Sequence, residues 1–300
     1  MYCGWSMIRA KGSAMRCVLF VVLIGFTASR ALAGSIGFED VVVLTVPHGH
    51  GLGRVVVNCN AGGCDRPTCF WIDPNGLFYV PEIDSTNKGW KDIRIHKFRP
   101  DGTAIEVVNL EGITSFISSM RTSSNGDIFL VETVIGLAER YVGHYDKNGR
   151  LINRFGPNGE ITKADFNDIT YAKERKELVR RKCFTSDAPR LVGGGKKDTL
   201  YAAQNLFNEH KPNTYLFNTK SAMLLERVLK NDNLPQEVLG YRNTLAERLS
   251  LKSRIDDEDA VLRMRSAYIG IIGPDGAYYY LQNHFRPPKR MEIHRLTFEQ

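Results

Sequence analysis

Long apolar runs are scarce in this sequence, and the only one near membrane length lies close to the N-terminus, at residues 17–26. A transmembrane helix needs about 20 apolar residues, so we expect no membrane span after this segment is removed. An excess of one charge is also lacking. Residues 1–33 hold four basic and no acidic residues, which leaves 36 basic against 33 acidic residues in the rest. A chain so close to neutral gives no electrostatic reason to expect nucleic-acid binding.

Several catalytic signatures are absent as well. The sequence contains no G-x-S-x-G nucleophile elbow, and no grouping of Ser, His and Asp stands out. It contains no C-x-x-C-H haem motif, and the acidic run at residues 256–259 does not match an EF-hand loop. These absences leave the common hydrolase, haem-protein and calcium-sensor classes without support.

The N-terminus has the three parts of a secretory signal peptide. Arg16 gives a basic start, residues 17–26 form a short apolar stretch, and Ala31-Leu32-Ala33 is a small-residue cleavage site. We predict a signal peptide at residues 1–33, with Met15 as the true start. The protein is therefore expected to be extracytoplasmic, either periplasmic or secreted. The alternative is an uncleaved anchor.

Cysteines are few, and four of the six follow the predicted cleavage site: Cys59, Cys64, Cys69 and Cys183. An exported protein folds in an oxidising compartment, where such thiols form disulfides. We expect one or two bridges, with a local pairing of Cys59–Cys64 or Cys64–Cys69. A zinc site is the rival interpretation.

The main positive feature of the sequence is a repeat. Four segments align on a turn residue, with an aromatic residue three positions later and a polar residue six positions later. The turn residues are Gly76, Gly126, Asp198 and Gly276, the aromatic residues are Tyr79, Phe129, Tyr201 and Tyr279, and the polar residues are Glu82, Glu132, Gln204 and Gln282. An apolar run that ends in a polar residue is typical of a strand buried on both faces, and Asn-Gly or Asp-Gly turns are typical of hairpins.

A second hairpin follows in the first three units, at turns near Gly102, Gly149 and residues 218–221. Two hairpins give four antiparallel strands, which is the composition of a propeller blade. The last unit stops at Gln300, before its fourth strand. An apolar strand at residues 40–46 is predicted to supply that strand and close the ring, which removes an exposed sheet edge. The alternative is a fragment whose final blades are missing.

The predicted fold class is therefore all-β, a β-propeller of four-stranded antiparallel blades in one domain over residues 34–300. Four repeats can be counted, and five or six blades would result if degenerate units are hidden between them. Two segments rich in helix-forming residues interrupt the repeat, near residues 156–189 and 230–265. We predict that both are helical insertions.

The repeat resembles the NHL repeat and related six-bladed propellers. The resemblance is carried by D-P-N-G-L-F-Y-V-P-E at residues 73–82, by I-R-I-H-K-F-R-P-D-G at residues 93–102, and nearly as well by residues 120–155. It implies a six-bladed fold but no single activity, because such propellers include binding scaffolds, lyases and lactone hydrolases. The family commonly has Asp at the recurring polar position, where this chain has Glu82, Glu132, Gln204 and Gln282.

The recurring polar position is also the predicted site. The ends of equivalent strands lie around one face of a propeller, near the mouth of the central channel. We therefore predict a polar rim formed by Glu82, Glu132, Gln204, Gln282, Asn205, Asn283 and His284. A concave polar rim suits a sugar, a peptide or a cation. The alternative is that each side chain only forms hydrogen bonds within its own loop.

Two functions agree with these patterns. The first is an exported propeller that binds a small molecule, a glycan or a protein partner through loops on one face. The second is an enzyme, either a metal-dependent lactone hydrolase or a lyase, with its site at the central channel. The enzyme hypothesis predicts a divalent cation such as calcium on the rim carboxylates, Glu82 and Glu132 among them. The sequence favours binding and assigns no catalytic residue.

Overall fold

The computed structural model describes residues 37–60, 63–84, 92–111, 116–133, 139–162, 182–184, 188–193, 198–205, 207, 213–228, 234–253, 255 and 270–299. The predicted signal peptide and most of the predicted insertion at residues 156–189 lie outside these ranges. Within them, no helix is long and apolar enough to cross a membrane.

Four antiparallel sheets form the blades, which we number I to IV. Blade I contains β4 (Trp71–Ile72), β5 (Phe78–Asp84), β6 (Asp92–Phe98) and β7 (Ala104–Leu110). Blade II contains β8 (Ile117–Thr122), β9 (Ile128–Thr133), β10 (Arg140–Tyr145), β11 (Leu151–Gly156) and a short fifth strand, β12 (Gly159–Glu160). Blade III contains β13 (Arg190–Gly193), β14 (Thr199–Gln204), β15 (Asn213–Asn218) and β16 (Met223–Val228). A separate small hairpin is formed by β2 (Asn58–Asn60) and β3 (Gly63–Asp65).

Strands from both ends of the chain form blade IV. It contains β17 (Ile271–Ile272), β18 (Tyr278–His284), β19 (Arg290–Phe298) and, at its outer edge, β1 (Phe38–Pro47). β1 pairs antiparallel with β19, with Val46 opposite Met291 and an irregularity between Val42 and Leu44. The prediction that residues 40–46 complete the last blade is confirmed. β19 is therefore a paired strand rather than an open sheet edge.

The all-β propeller arrangement predicted from the repeat is confirmed. Each countable repeat corresponds to one blade, and the described residues form four blades rather than five or six. One helix has its bounds in the described residues, α1 (Gln236–Lys252), and it lies in the predicted insertion at residues 230–265. The helical prediction for the first insertion falls mainly on residues outside the described ranges.

The turns that defined the repeat have the backbone conformation expected of them. Gly76 has φ +81° and Asp198 has φ +59°. Both lie in the left-handed region, which residues other than Gly, Asn and Asp rarely adopt. In blade I the Asp73 carboxylate also accepts hydrogen bonds from the N–H groups of Asn75 and Leu77, each at 2.9 Å. The local sequence thus fixes the turn, and the turn fixes the register of the strands beside it.

Helix α1 lies between blades III and IV. Val238 packs in one apolar cluster with Tyr201 of blade III, and Leu245 packs in another with Tyr278 of blade IV. Blades IV, I and II share a third and larger cluster, and blades II and III share a fourth. The apolar core therefore continues around the ring. Between blades III and IV, the contact is made through the helix.

Candidate functional site

The inner strands of all four blades surround a small cavity at the centre of the ring. Its volume is about 20 Å³, which is enough for one water molecule. It is lined by residues of the four inner strands and by Tyr241 of α1: Cys69, Phe70, Trp71, Ser118, Ser119, Met120, Arg190, Leu191 and Ile271. This cavity is too small for an organic substrate.

Arg121 of blade II contacts both of the neighbouring blades close to this cavity. Trp71, Arg121, Gly193 and Ile271 occupy one level of the ring, each five residues before its turn residue. The Arg121 guanidinium lies over the Trp71 ring, 4.5 Å from its centroid. A side chain at residue 193 would collide with that guanidinium, so the glycine of blade III leaves the space that the arginine takes. Burial lowers the pKa of Arg121 to about 10.

Glu82 is enclosed in blade I, with 1% of its surface exposed. Its Oε2 accepts a hydrogen bond from the Val56 N–H and lies 3.1 Å from His96 Nε2. Its Oε1 lies 2.8 Å from Arg94 Nη2. The carboxylate therefore joins two strands of its own blade to the segment that follows β1.

Glu132 is enclosed in blade II and is completely buried. The Tyr145 hydroxyl donates to its Oε1 at 2.6 Å, and the Tyr141 hydroxyl donates to its Oε2 at 2.9 Å. Burial raises the pKa of Glu132, although these hydrogen bonds and the charge of Arg154 oppose the shift. The carboxylate thus holds the third strand of the blade against the second.

The structure does not unite the two carboxylates that the enzyme hypothesis assigned to a cation. Glu82 and Glu132 lie in separate blades, and the oxygens of both are engaged by other side chains or amides. They therefore do not fit a shared calcium ion, which needs several oxygens around one point. The described residues contain no group of three side chains able to hold a metal ion.

The two glutamines of the predicted rim lie at or near the ends of their strands. Gln204 is buried at the end of β14, and Asn205 after it has φ +51°. Gln282 is half-buried in β18, opposite Glu292 of β19. These residues mark the face on which the second strand of each blade ends.

The remaining predicted residues, Asn283 and His284, lie on that face at the loop between β18 and β19. They line a pocket together with Phe285, Arg286, Pro287 and Arg290. The pocket has a volume of about 400 Å³, within the range of small-molecule sites. We call it the blade IV pocket.

Glu292 holds two of the residues that line the blade IV pocket. Its Oε2 lies 2.7 Å from His284 Nε2, and its Oε1 accepts a hydrogen bond from Arg290 Nε at 2.6 Å. Burial alone would raise the pKa of Glu292, but the hydrogen bonds from Arg290 and His284 outweigh burial and lower it. The positions of His284 and Arg290 are therefore set by a fixed carboxylate.

The same carboxylate connects the blade IV pocket to the closing strand. His294 Nε2 lies 3.4 Å from Glu292 Oε2, and His294 Nδ1 lies 3.1 Å from Asp40 Oδ1. The Tyr280 hydroxyl donates to Asp40 Oδ2 at 2.8 Å. Closure of the ring by β1 thus supports the side chains beneath the pocket.

Basic side chains dominate the surroundings of the blade IV pocket. Burial lowers the pKa of His48, and the charges of Lys289 and His284 lower it further. Arg66 lies over the Phe285 ring, 5.2 Å from its centroid. Sequence reasoning found Asn283 and His284 but missed the neighbouring basic and aromatic residues, although the run F-R-P-P-K-R at residues 285–290 was a visible signal.

The cysteine predictions need a correction. Cys69 and Cys183 are free and buried, so the proposed Cys64–Cys69 bridge and a disulfide at Cys183 are wrong. Cys69 lies two residues before β4, the inner strand of blade I, and lines the central cavity. Burial raises the pKa of both thiols, that of Cys183 to about 12. Cys59 is directly opposite Cys64 in the β2–β3 hairpin.

Comparisons with known proteins give no family. No protein-family model matches the chain, and no curated protein matches it. Among solved structures, it is similar to a protein of unknown function from Bacteroides caccae, at 14% identity over 58% of this chain and 49% of that one, with a TM-score of 0.36. It is also similar to the tail fiber of Staphylococcus aureus phage P68, at 12% identity over 87% of this chain and 53% of that one, with a TM-score of 0.33.

A third similar structure is a mutant of the GH43 protein BlXynB from Bacillus licheniformis, at 14% identity over 85% of this chain and 42% of that one, with a TM-score of 0.31. The chain spans about half the length, or less, of these three proteins. The propeller assignment rests on the sheet topology of the chain itself, and these matches carry no argument about its function.

Proposed function

We propose that this protein is an exported propeller that binds a ligand in the blade IV pocket, on the face where the second strand of each blade ends. The observation that carries the proposal is a contrast in volume. The pocket offers about 400 Å³, whereas the centre of the ring offers about 20 Å³. Only the former can accept a small molecule or a group of a larger partner.

The same contrast weighs against the enzyme alternative, which needs a substrate and a cation in the central channel. The central cavity holds only about 20 Å³, and Glu82 and Glu132 are engaged elsewhere. We also propose that the repeat is of the NHL type, on the strength of residues 73–82 and 93–102. The described ring has four blades, whereas that resemblance implied six.

The binding proposal is tested by blocking the pocket. Arg286 is exposed at the pocket, so a bulky maleimide attached to an Arg286→Cys variant would fill it. We expect ligands selected from an array of small molecules and glycans by the unlabelled variant to lose binding after labelling, because the label and the ligand compete for one volume.

Export is a further proposal, supported by the signal-like sequence at residues 1–33. An oxidising compartment would also allow a Cys59–Cys64 disulfide, because residues directly opposite in an antiparallel pair have Cα atoms about 4.5–5.5 Å apart, a separation that a disulfide spans. We expect the intact mass of the exported protein to match residues 34–300 less two hydrogen atoms. A mass that includes residues 15–33 would contradict cleavage. The disulfide is tested by alkylating the denatured protein without a reductant, and alkylation of all four cysteines would contradict it.

A further inference from the structure

We propose that the blade IV pocket binds a saccharide that carries a carboxylate group, such as an oligomer of a uronic acid. This inference rests on the proposed function, because it names the ligand class of the same pocket. Two features of the pocket support it: uncommitted cations and an exposed aromatic ring.

The loop that forms the pocket carries two cations without a partner in the described part of the chain. Arg286 lines the pocket, and Lys289 lies in the same loop. Both are exposed, and neither side chain makes an ion pair with a described residue. Arg290, in contrast, is already engaged by Glu292 at 2.6 Å, and that carboxylate also engages His284 at 2.7 Å. Two basic groups of this loop are therefore left over, and Arg286, which lines the pocket, would form charge-assisted hydrogen bonds with a ligand carboxylate.

The aromatic ring is Phe285, of which 38% is exposed. Arg66 covers one side of this ring, 5.2 Å from its centroid. The exposed part of the ring offers a flat apolar surface next to the free cations. The carbon-bound hydrogens of one face of a pyranose ring form a matching apolar surface, and burying the two together removes both from water.

Asn283 also lines the pocket, and its Nδ2 donates to the Pro67 carbonyl at 3.1 Å. Its Oδ1 is buried, so the amide shapes the pocket but does not offer this atom to a ligand. A uronate sugar brings a carboxylate and an apolar ring face together, whereas an acidic peptide side chain brings only the first.

The experiment is a titration calorimetry measurement on the mature protein with two probes, tri-galacturonate and its fully methyl-esterified form. The two probes share every sugar ring and hydroxyl, and they differ at the carboxyl groups, which are charged in the acid and carry neutral methyl esters in the other probe. We expect the ester to bind at least about tenfold more weakly, since it cannot form the charge-assisted hydrogen bonds. We also expect added salt to weaken binding of the acid and to leave binding of the ester unchanged.

Three variants test whether the difference in affinity between the two probes arises at the blade IV pocket. Arg286→Gln should weaken binding of tri-galacturonate about tenfold without changing binding of the ester, and Phe285→Ala should weaken both probes. Arg99→Gln removes an equal charge from an exposed turn of blade I and should change neither. Equal affinity for the two probes, an unchanged affinity in Arg286→Gln, or no binding of tri-galacturonate would overturn the inference.

The outcome for the ligand class is separable from the outcome for the pocket. If the array yields binders that the label at Arg286→Cys displaces while tri-galacturonate fails to bind, the pocket remains the site and the acidic saccharide is wrong. If the label displaces no binder at all, the proposed function itself is contradicted.

Discussion

Replacing Glu132 with alanine is expected to lower the free energy of unfolding by about 3 kcal/mol. The substitution leaves the hydroxyl groups of Tyr141 and Tyr145 without their acceptor in a fully buried position. It also removes the carboxylate that faces the charge of Arg154 and opens a cavity between two strands of blade II. Urea denaturation of the wild type and the variant measures the difference.

Glu106→Ala is the matched control for this loss. Glu106 pairs with Lys97 at 2.8 Å, but about half of its side chain is exposed, and exposed pairs contribute little. We expect the control to change stability by less than about 0.5 kcal/mol. A loss of equal size in both variants would contradict the role assigned to Glu132.

The same carboxylate predicts a pH dependence. Burial raises the pKa of Glu132 in the folded protein above its ordinary value of 4.5. The folded state therefore binds this proton more tightly than the unfolded state does. The protonated group's contribution to the free energy of unfolding is complete below pH 4.5, and it declines as the pH rises through the folded-state pKa. Relative to Glu132→Gln, which does not titrate, the wild type should lose stability as the pH is raised above 4.5.

The second large effect is expected at Val46→Asp, which should abolish cooperative folding or cost about 4 kcal/mol. Only 1% of Val46 is exposed, in the strand that completes blade IV opposite Met291. An unpaired carboxylate is not tolerated there, so β1 would detach and leave β19 as an open edge that promotes association. Thermal unfolding and light scattering would record the loss of stability and the aggregation.

Val42→Asp is the control on the same strand. Val42 also pairs with β19, but 44% of it is exposed, so a carboxylate at this position stays hydrated. We expect a change of about 0.5 kcal/mol or less. If Val46→Asp were as stable and monomeric as Val42→Asp, β1 would not be needed to close the ring.

Much of the fold could be predicted because the information is local. The turn residues Gly76, Gly126, Asp198 and Gly276, with the aromatic and polar residues at fixed offsets after them, define each blade without reference to the others. The closing strand could be predicted for a related reason. A last unit one strand short and an apolar segment at residues 40–46 are both visible in the sequence.

The candidate site was harder to predict because its properties depend on contacts that the repeat does not encode. The recurring position suggested a shared rim, but Glu82 is bound by Val56 and His96, and Glu132 by two tyrosines. The contact of Arg121 with Trp71 depends on the space that Gly193 leaves in another blade. Such pairings across the ring leave no periodic signal, and the same is true of Cys69 at the central cavity.

Binding at the blade IV pocket is the central claim, and competition with a covalent label tests it most directly. The control is Lys220→Cys carrying the same maleimide, since Lys220 is exposed on a turn of blade III, at the opposite ends of the strands. The buried thiols of Cys69 and Cys183 should not react in the folded protein. Both variants also carry Cys59→Ser and Cys64→Ser, so the label reports one position in each.

We predict that the label at Arg286→Cys abolishes binding of the ligands selected from the array, and that the label at Lys220→Cys leaves their affinity unchanged. Affinities that stay the same in both labelled proteins would contradict the claim, because they would place the ligand somewhere other than the pocket between β18 and β19.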